Sequence, residues 1–158
     1  MQLTRRNGLI GLFVTLLTAC TRGKKSMDYK TIKDAVMHSD REAVARMIAE
    51  GYDVEERDYR GNTALNVAAK TDQHIIAEML LNAGADPFSM DSFYFTAASS
   101  IYESEMSPDT DKGQARLRVL AKMEAEGVQI PPPNPKEFPQ AFEDGRWPKH
   151  AMPPPLEN

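Results

Sequence analysis

Cysteine is almost absent: the 158-residue chain has one, Cys20, so no internal disulfide can staple a fold. Long apolar runs are missing too. The most apolar stretch, Gly8–Leu17 (GLIGLFVTLL), is well short of the ~20 residues a helix needs to cross a bilayer. The histidines His38, His74 and His150 are scattered and lack metal-ligand spacing with cysteine or acidic residues. No serine sits in a nucleophile elbow and no glycine-rich phosphate loop occurs. Acid pairs such as Glu55-Glu56 fall in turn-like sequence, where solvated carboxylates are the simplest reading. The expectation is a protein that is no enzyme and needs no cofactor or metal. Positive charge is not in excess either. The formal net charge is −4; Arg5 and Arg6 add +2 before Cys20, which leaves −6 from there onward. A nucleic-acid partner is thereby excluded, because it would call for a basic patch. Mild acidity favours a basic protein partner.

What the chain does contain begins at its start. Arg5 and Arg6 precede the short apolar run, which ends in Leu17-Thr18-Ala19-Cys20. A positive start, a short apolar core and small residues before a break form a targeting segment. The last four residues resemble the lipobox of bacterial lipoproteins, which implies lipid on Cys20, a membrane anchor and cleavage just before it. Thr21 in place of aspartate implies transport to the inner face of the outer membrane, facing the periplasm. Thr4-Arg5-Arg6-Asn7 partly matches a twin-arginine signal, so Sec and twin-arginine export both stay open. Residues 1–19 are thus read as signal peptide and 20–27 as a lipidated tether.

Residues 28–130 carry a repeat. Gly51 and Gly84 lie 33 residues apart, as do Ala35 and Ala68, and Ile32 and Leu65. A fixed period of this length signals a stacked-repeat architecture. In the clearest block, Asp58–Met90, Leu65, Ala68 and Ala69 give a narrow apolar stripe on one short helix. Thr63 is placed to cap it. Ile75, Ile76, Met79 and Leu80 form the apolar face of a second helix, and Gly84 ends that helix in a left-handed conformation. The block resembles an ankyrin repeat at Asp58, Gly61, Thr63, Leu65, Ala68 and Ala69, and again at Leu80, Leu81, Gly84, Ala85 and Asp86. Ala64 and Asn66 replace the usual proline and histidine, which should loosen the repeat slightly.

One such unit cannot bury its own apolar face. A preceding unit at residues 26–57 places Ile32, Ala35 and Val36 on its first helix and Val44, Met47 and Ile48 on its second. A following unit starts near Asp91 and reaches its glycine at Gly127, 43 residues after Gly84. The extra length is assigned to an insertion at Glu105–Gly113, followed by a helix through Leu117, Leu120 and Met123. The fold class is therefore all-α: a short solenoid of about three helix-turn-helix repeats with turn fingers. Residues 131–158 hold nine of the eleven prolines, so neither helix nor sheet is expected to persist there. Phe138, Phe142 and Trp147 in this tail imply either an extended strap laid on the last repeat or a segment that orders on a partner.

The ankyrin resemblance implies protein binding through turn fingers and the outer side of the first helices. Matching positions gives Tyr59, Arg60, Asn62, Lys70 and Thr71 in repeat two. It gives Ser92, Phe93, Phe95 and Glu103 in repeat three, and Met37 and His38 in repeat one. Phe93 is expected to be exposed; Phe95 is expected either exposed or buried inside an irregular repeat, since Tyr94 replaces the turn glycine. Small lipidated ankyrin-like proteins resemble immunity proteins that neutralise secreted toxins, including type VI phospholipase effectors. The alternative implied by the resemblance is a periplasmic scaffold that stabilises an endogenous enzyme such as a catalase.

Overall fold

A computed structural model of the chain describes residues 27–152; Cys20 and the signal segment lie outside them. Three helix pairs form the solenoid: α1 (Ile32–Met37) with α2 (Arg41–Ala49), α3 (Ala64–Lys70) with α4 (His74–Asn82), and α5 (Ala97–Glu103) with α6 (Asp111–Ala125). The first helices stack on one another, α1 on α3 on α5, and the second helices do likewise, α2 on α4 on α6. The seam between the rows is narrow because fully buried alanines occupy it: Ala35, Ala68, Ala69, Ala77, Ala97 and Ala98. Small side chains let the helix axes approach closely. Larger ones, Ile32, Met47, Leu65, Leu80 and Ile101, fill the space between successive repeats.

Threonine starts every first helix. Thr31, Thr63 and Thr96 each accept a bond from the backbone N–H three residues on, and each makes a reciprocal capping box with Asp34, Asn66 or Ser99. Two otherwise orphaned N–H groups are satisfied at each such end. Buried positions repeat at 33, but the Thr31 cap lies one residue closer, so α1 is six residues long against seven in α3 and α5. At the other end of the unit, Gly51, Gly84 and Gly127 close the second helices at φ of 82°, 93° and 97°. Those left-handed angles cost glycine little.

The third repeat departs from the predicted plan. The segment Glu105–Gly113 is only partly loop, because α6 already begins at Asp111 and runs 15 residues against nine in α2 and α4. Gly113 belongs to its first turn, where any Cβ would overlap the Ser107 carbonyl. The buried face of α6 is Ala115, Val119 and Met123 at four-residue spacing, while Leu117 is 44% exposed. The apolar row predicted through Leu117, Leu120 and Met123 is therefore rotated; only Met123 is fully inside.

The proline-rich end also differs from expectation. A helix does form, α7 (Phe138–Glu143), with Pro139 in its first turn, where a missing N–H leaves no bond unmade. A 3₁₀ turn follows at Lys149–Ala151. Phe138, Phe142 and Trp147 are all buried. Trp147 stands edge-on to Phe88 and Phe138 at centroid distances of 5.2 and 5.0 Å, and its indole N–H donates to the Phe88 carbonyl at 3.2 Å. The tail is a folded strap on the finger side of repeat three.

Candidate functional site

Two turn fingers, built alike 33 residues apart, carry most of the predicted binding residues. In the first, Asp58 Oδ1 accepts from the backbone N–H of Arg60 and of Asn62, each at 2.9 Å. In the second, Asp91 Oδ1 accepts from the N–H of Phe93 at 2.8 Å and of Phe95 at 3.0 Å. A short carboxylate that gathers the N–H groups ahead of it fixes a tight turn. Burial pushes the Asp58 carboxyl up, but the Asn62 and Arg60 N–H groups, the Asn62 amide and nearby Lys33 outweigh it and hold it below the usual carboxylate range. The fingers are also tied together. Arg57 donates to the carbonyls of Gly61 and Met90 at 3.0 and 2.8 Å, and the Ser92 N–H donates to the Arg60 carbonyl at 2.9 Å.

On this frame Tyr59 stands 83% exposed, with the Arg60 guanidinium 5.2 Å from its ring centroid, a cation–π distance. Phe93 and Phe95 are 53% and 47% exposed, so the structure places both outward. Between them Tyr94 takes φ of 64° and turns inward to stack on Phe138 at 6.4 Å. Ser92 is half-buried and Thr71 is exposed, although the Thr71 hydroxyl is occupied by the Val67 carbonyl at 2.8 Å and the Gln73 amide at 2.7 Å. Met37 and His38 are exposed at the first repeat, apart from the two fingers.

Two predicted residues behave differently. Asn62 is only 7% exposed; its amide faces Asp58 and its oxygen accepts from Lys70 at 2.6 Å. It supports the finger and does not present a side chain. Lys70 is exposed, but its ammonium is held by Asp91 Oδ2 at 2.7 Å as well as by Asn62. The residue that replaces the family's histidine also performs better than expected. Asn66 Oδ1 accepts from the Thr63 N–H and hydroxyl at 3.1 and 2.9 Å, and its Nδ2 donates to the Ser89 carbonyl at 3.2 Å. It ties the repeat to the next finger, so no loosening results at this position.

Residues 60–92 match the ankyrin-repeat family model. The fold is a short ankyrin solenoid, and the matched segment runs from the tip of the first finger to the second. Among curated proteins, the bovine (Bos taurus) mitochondrial disaggregase is 32% identical over 117 residues, 74% of this chain and 16% of that protein. The human (Homo sapiens) mitochondrial disaggregase is 32% identical over 97 residues, 61% of this chain and 13% of that protein. An L-asparaginase of Dirofilaria immitis is 36% identical over 59 residues, 37% of this chain and 10% of that protein. The chain spans less than a fifth of the length of each of these relatives.

One polar cluster invites a chemical reading that sequence reasoning missed. His74 Nε2 lies 3.2 Å from Ser104 Oγ, which donates to Asp72 Oδ1 at 2.7 Å. In a hydrolytic triad the serine gives its proton to the histidine and the acid orients the other ring nitrogen. Here Asp72 lies 3.5 Å from the same Nε2, and the serine proton is already directed to the acid. His74 is wholly buried, and burial lowers its pKa. The arrangement ties the loops after α3 and α5 together rather than activating a nucleophile. Among the described residues, no group of three or more His, Cys, Asp or Glu is arranged to hold a metal ion, and no helix is long and apolar enough to cross a membrane.

Proposed function

We propose that this protein is a non-catalytic, lipid-anchored binding module of the bacterial periplasm that neutralises a secreted toxin, such as a type VI phospholipase effector. The observation that carries the reading is the pair of braced fingers. Tyr59, Arg60, Phe93 and Phe95 are held outward by carboxylates that fix their turns, so little conformational freedom is lost when a partner buries them. Aromatic and arginine side chains are the types that anchor interfaces. Lipid on Cys20 would place this face at the membrane, where a lipid-directed toxin must come.

The test begins with capture of partners by the exported chain carrying Cys20→Ser, followed by mass spectrometry. Recovery of a lipase-like effector, lost in the Tyr59→Ala/Phe93→Ala variant while its melting temperature stays within about 2 °C of the parent, supports the proposal. Deleting the gene should then sensitise cells to a sibling strain that delivers the effector. Full resistance of the deletion strain would refute the neutralising role, and capture of an endogenous enzyme such as a catalase would point to the scaffold reading.

A further inference from the structure

We infer that the groove between α3 and α5 receives a positively charged side chain, lysine or arginine, that the protein partner presents beside an apolar one. This rests on the finger face being the binding face and adds the chemistry of what binds there. The groove is shallow and open to solvent, and is lined by Lys70, Asp72, Asp91, Phe93, Phe95 and Glu103, among others. Its one cation is spent: the Lys70 ammonium is paired with Asp91 at 2.7 Å. Asp72 and Glu103 form no ion pair with a lysine or arginine among the described residues, although Arg116 and Lys112 lie near enough to act on His74 beside Asp72. Asp72 accepts only from the Ser104 hydroxyl and faces His74, which burial keeps toward its neutral form. The groove therefore holds two carboxylates that have no lysine or arginine ion-pair partner among the described residues, beside two half-exposed phenylalanine rings.

Each part of that set favours the same guest. A guanidinium or ammonium gains from an exposed carboxylate, and also from an aromatic face whose quadrupole attracts cations and repels carboxylates. The apolar stem of arginine or lysine, with an apolar neighbour, covers the rings. Glu103 is also the last residue of α5, where the negative end of the helix disfavours an acid. A carboxylate at that position makes no bond or ion pair with the described residues, which leaves it open to an external cation.

Terminally blocked peptides with arginine between two leucines, and counterparts with glutamate or glutamine there, test the inference by NMR titration of the exported Cys20→Ser chain. The arginine peptide should shift the Phe93, Phe95 and Glu103 signals saturably and bind at least about tenfold more tightly than the glutamate peptide. Glu103→Gln should weaken it about threefold to tenfold, with unchanged circular dichroism. Equal binding of the two peptides, no saturable shift, or no effect of Glu103→Gln would overturn the inference. If these fail while a captured partner still depends on Phe93, the binding face stands and its charge preference falls. If the arginine peptide binds as described while a captured partner ignores Tyr59 and Phe93, the function proposed above falls instead.

Discussion

Replacing Trp147 with alanine tests whether the proline-rich end is part of the fold. The indole is completely buried, packed edge-on to two rings, with its N–H on the Phe88 carbonyl. Truncating a buried tryptophan removes its transfer free energy and leaves a cavity, together about 3–5 kcal/mol. The lost indole bond, about 1 kcal/mol, is contained in that range. At about 4 °C per kcal/mol for a domain of this size, the melting temperature should drop by ~12–20 °C. Trp147→Phe keeps most of the apolar area and should cost about 1–2 kcal/mol.

The assay uses the fact that Trp147 is the only tryptophan. In the parent its emission reports the strap alone, and far-ultraviolet circular dichroism reports the solenoid. Urea transitions by the two probes should coincide, because one cooperative unit unfolds once. The variant is then followed by circular dichroism. An emission maximum typical of water-exposed indole, a fluorescence transition that precedes helix loss, or a Trp147→Ala cost below about 1 kcal/mol would refute the reasoning. The first and last outcomes would mean that the tail is not packed in the free protein, and the second that it unfolds as a separate, weaker unit.

Asn66→Ala should destabilise the chain by about 2–3 kcal/mol in urea, since it removes a cap and leaves the buried Ser89 carbonyl without the amide that now serves it. A cost no greater than that of an exposed substitution would show that the link between repeat and finger is idle. For His74, burial lowers the folded-state pKa from 6.5, with Asp72 opposing. Above 6.5 both folded and unfolded chains are neutral there and stability is full. As pH falls below 6.5 the unfolded chain takes up the proton first, so stability declines toward the folded pKa. Urea midpoints between pH 7.5 and 5.5 should therefore fall in the parent and less in His74→Asn, whereas Asp72→Asn should steepen the fall. Identical pH slopes in all three would refute the assignment.

The repeat was legible because its signal is periodic. Leu65, Ala68 and Ala69 recur one period from Ile32, Ala35 and Val36, and Thr63 and Gly84 mark the ends of helices by their own chemistry. Other features depend on side-chain contacts that a residue pattern does not encode. The repeat pattern places Asn62 outward in its turn; in the fold Lys70 and Asp58 close on its amide. In α6 the larger leucines predict one face, but the smaller Ala115 and Val119 occupy the interior. Ala115 and Val119 are inside because α4 and α5 both lie against that helix. Local proline content argued against a helix at Phe138, yet Pro139 falls in its first turn, and the burial of three aromatics outweighs the weak propensity of so short a segment.

Tyr94 links the strap to the second finger. It occupies the place of Gly61, one period on, and keeps the same left-handed turn, φ 64° against 75°. For a side chain with a Cβ that conformation costs about 1–2 kcal/mol, so something must hold it. Asp91 supplies part: its carbonyl accepts the Tyr94 N–H at 3.1 Å and its side chain fixes the residues on either side. The strap supplies the rest by stacking Phe138 on the Tyr94 ring. Tyr94 is drawn inward, and its two neighbours, Phe93 and Phe95, line the groove. The proline-rich end thus braces the finger that carries the exposed Phe93 and Phe95, although it lies outside the repeats.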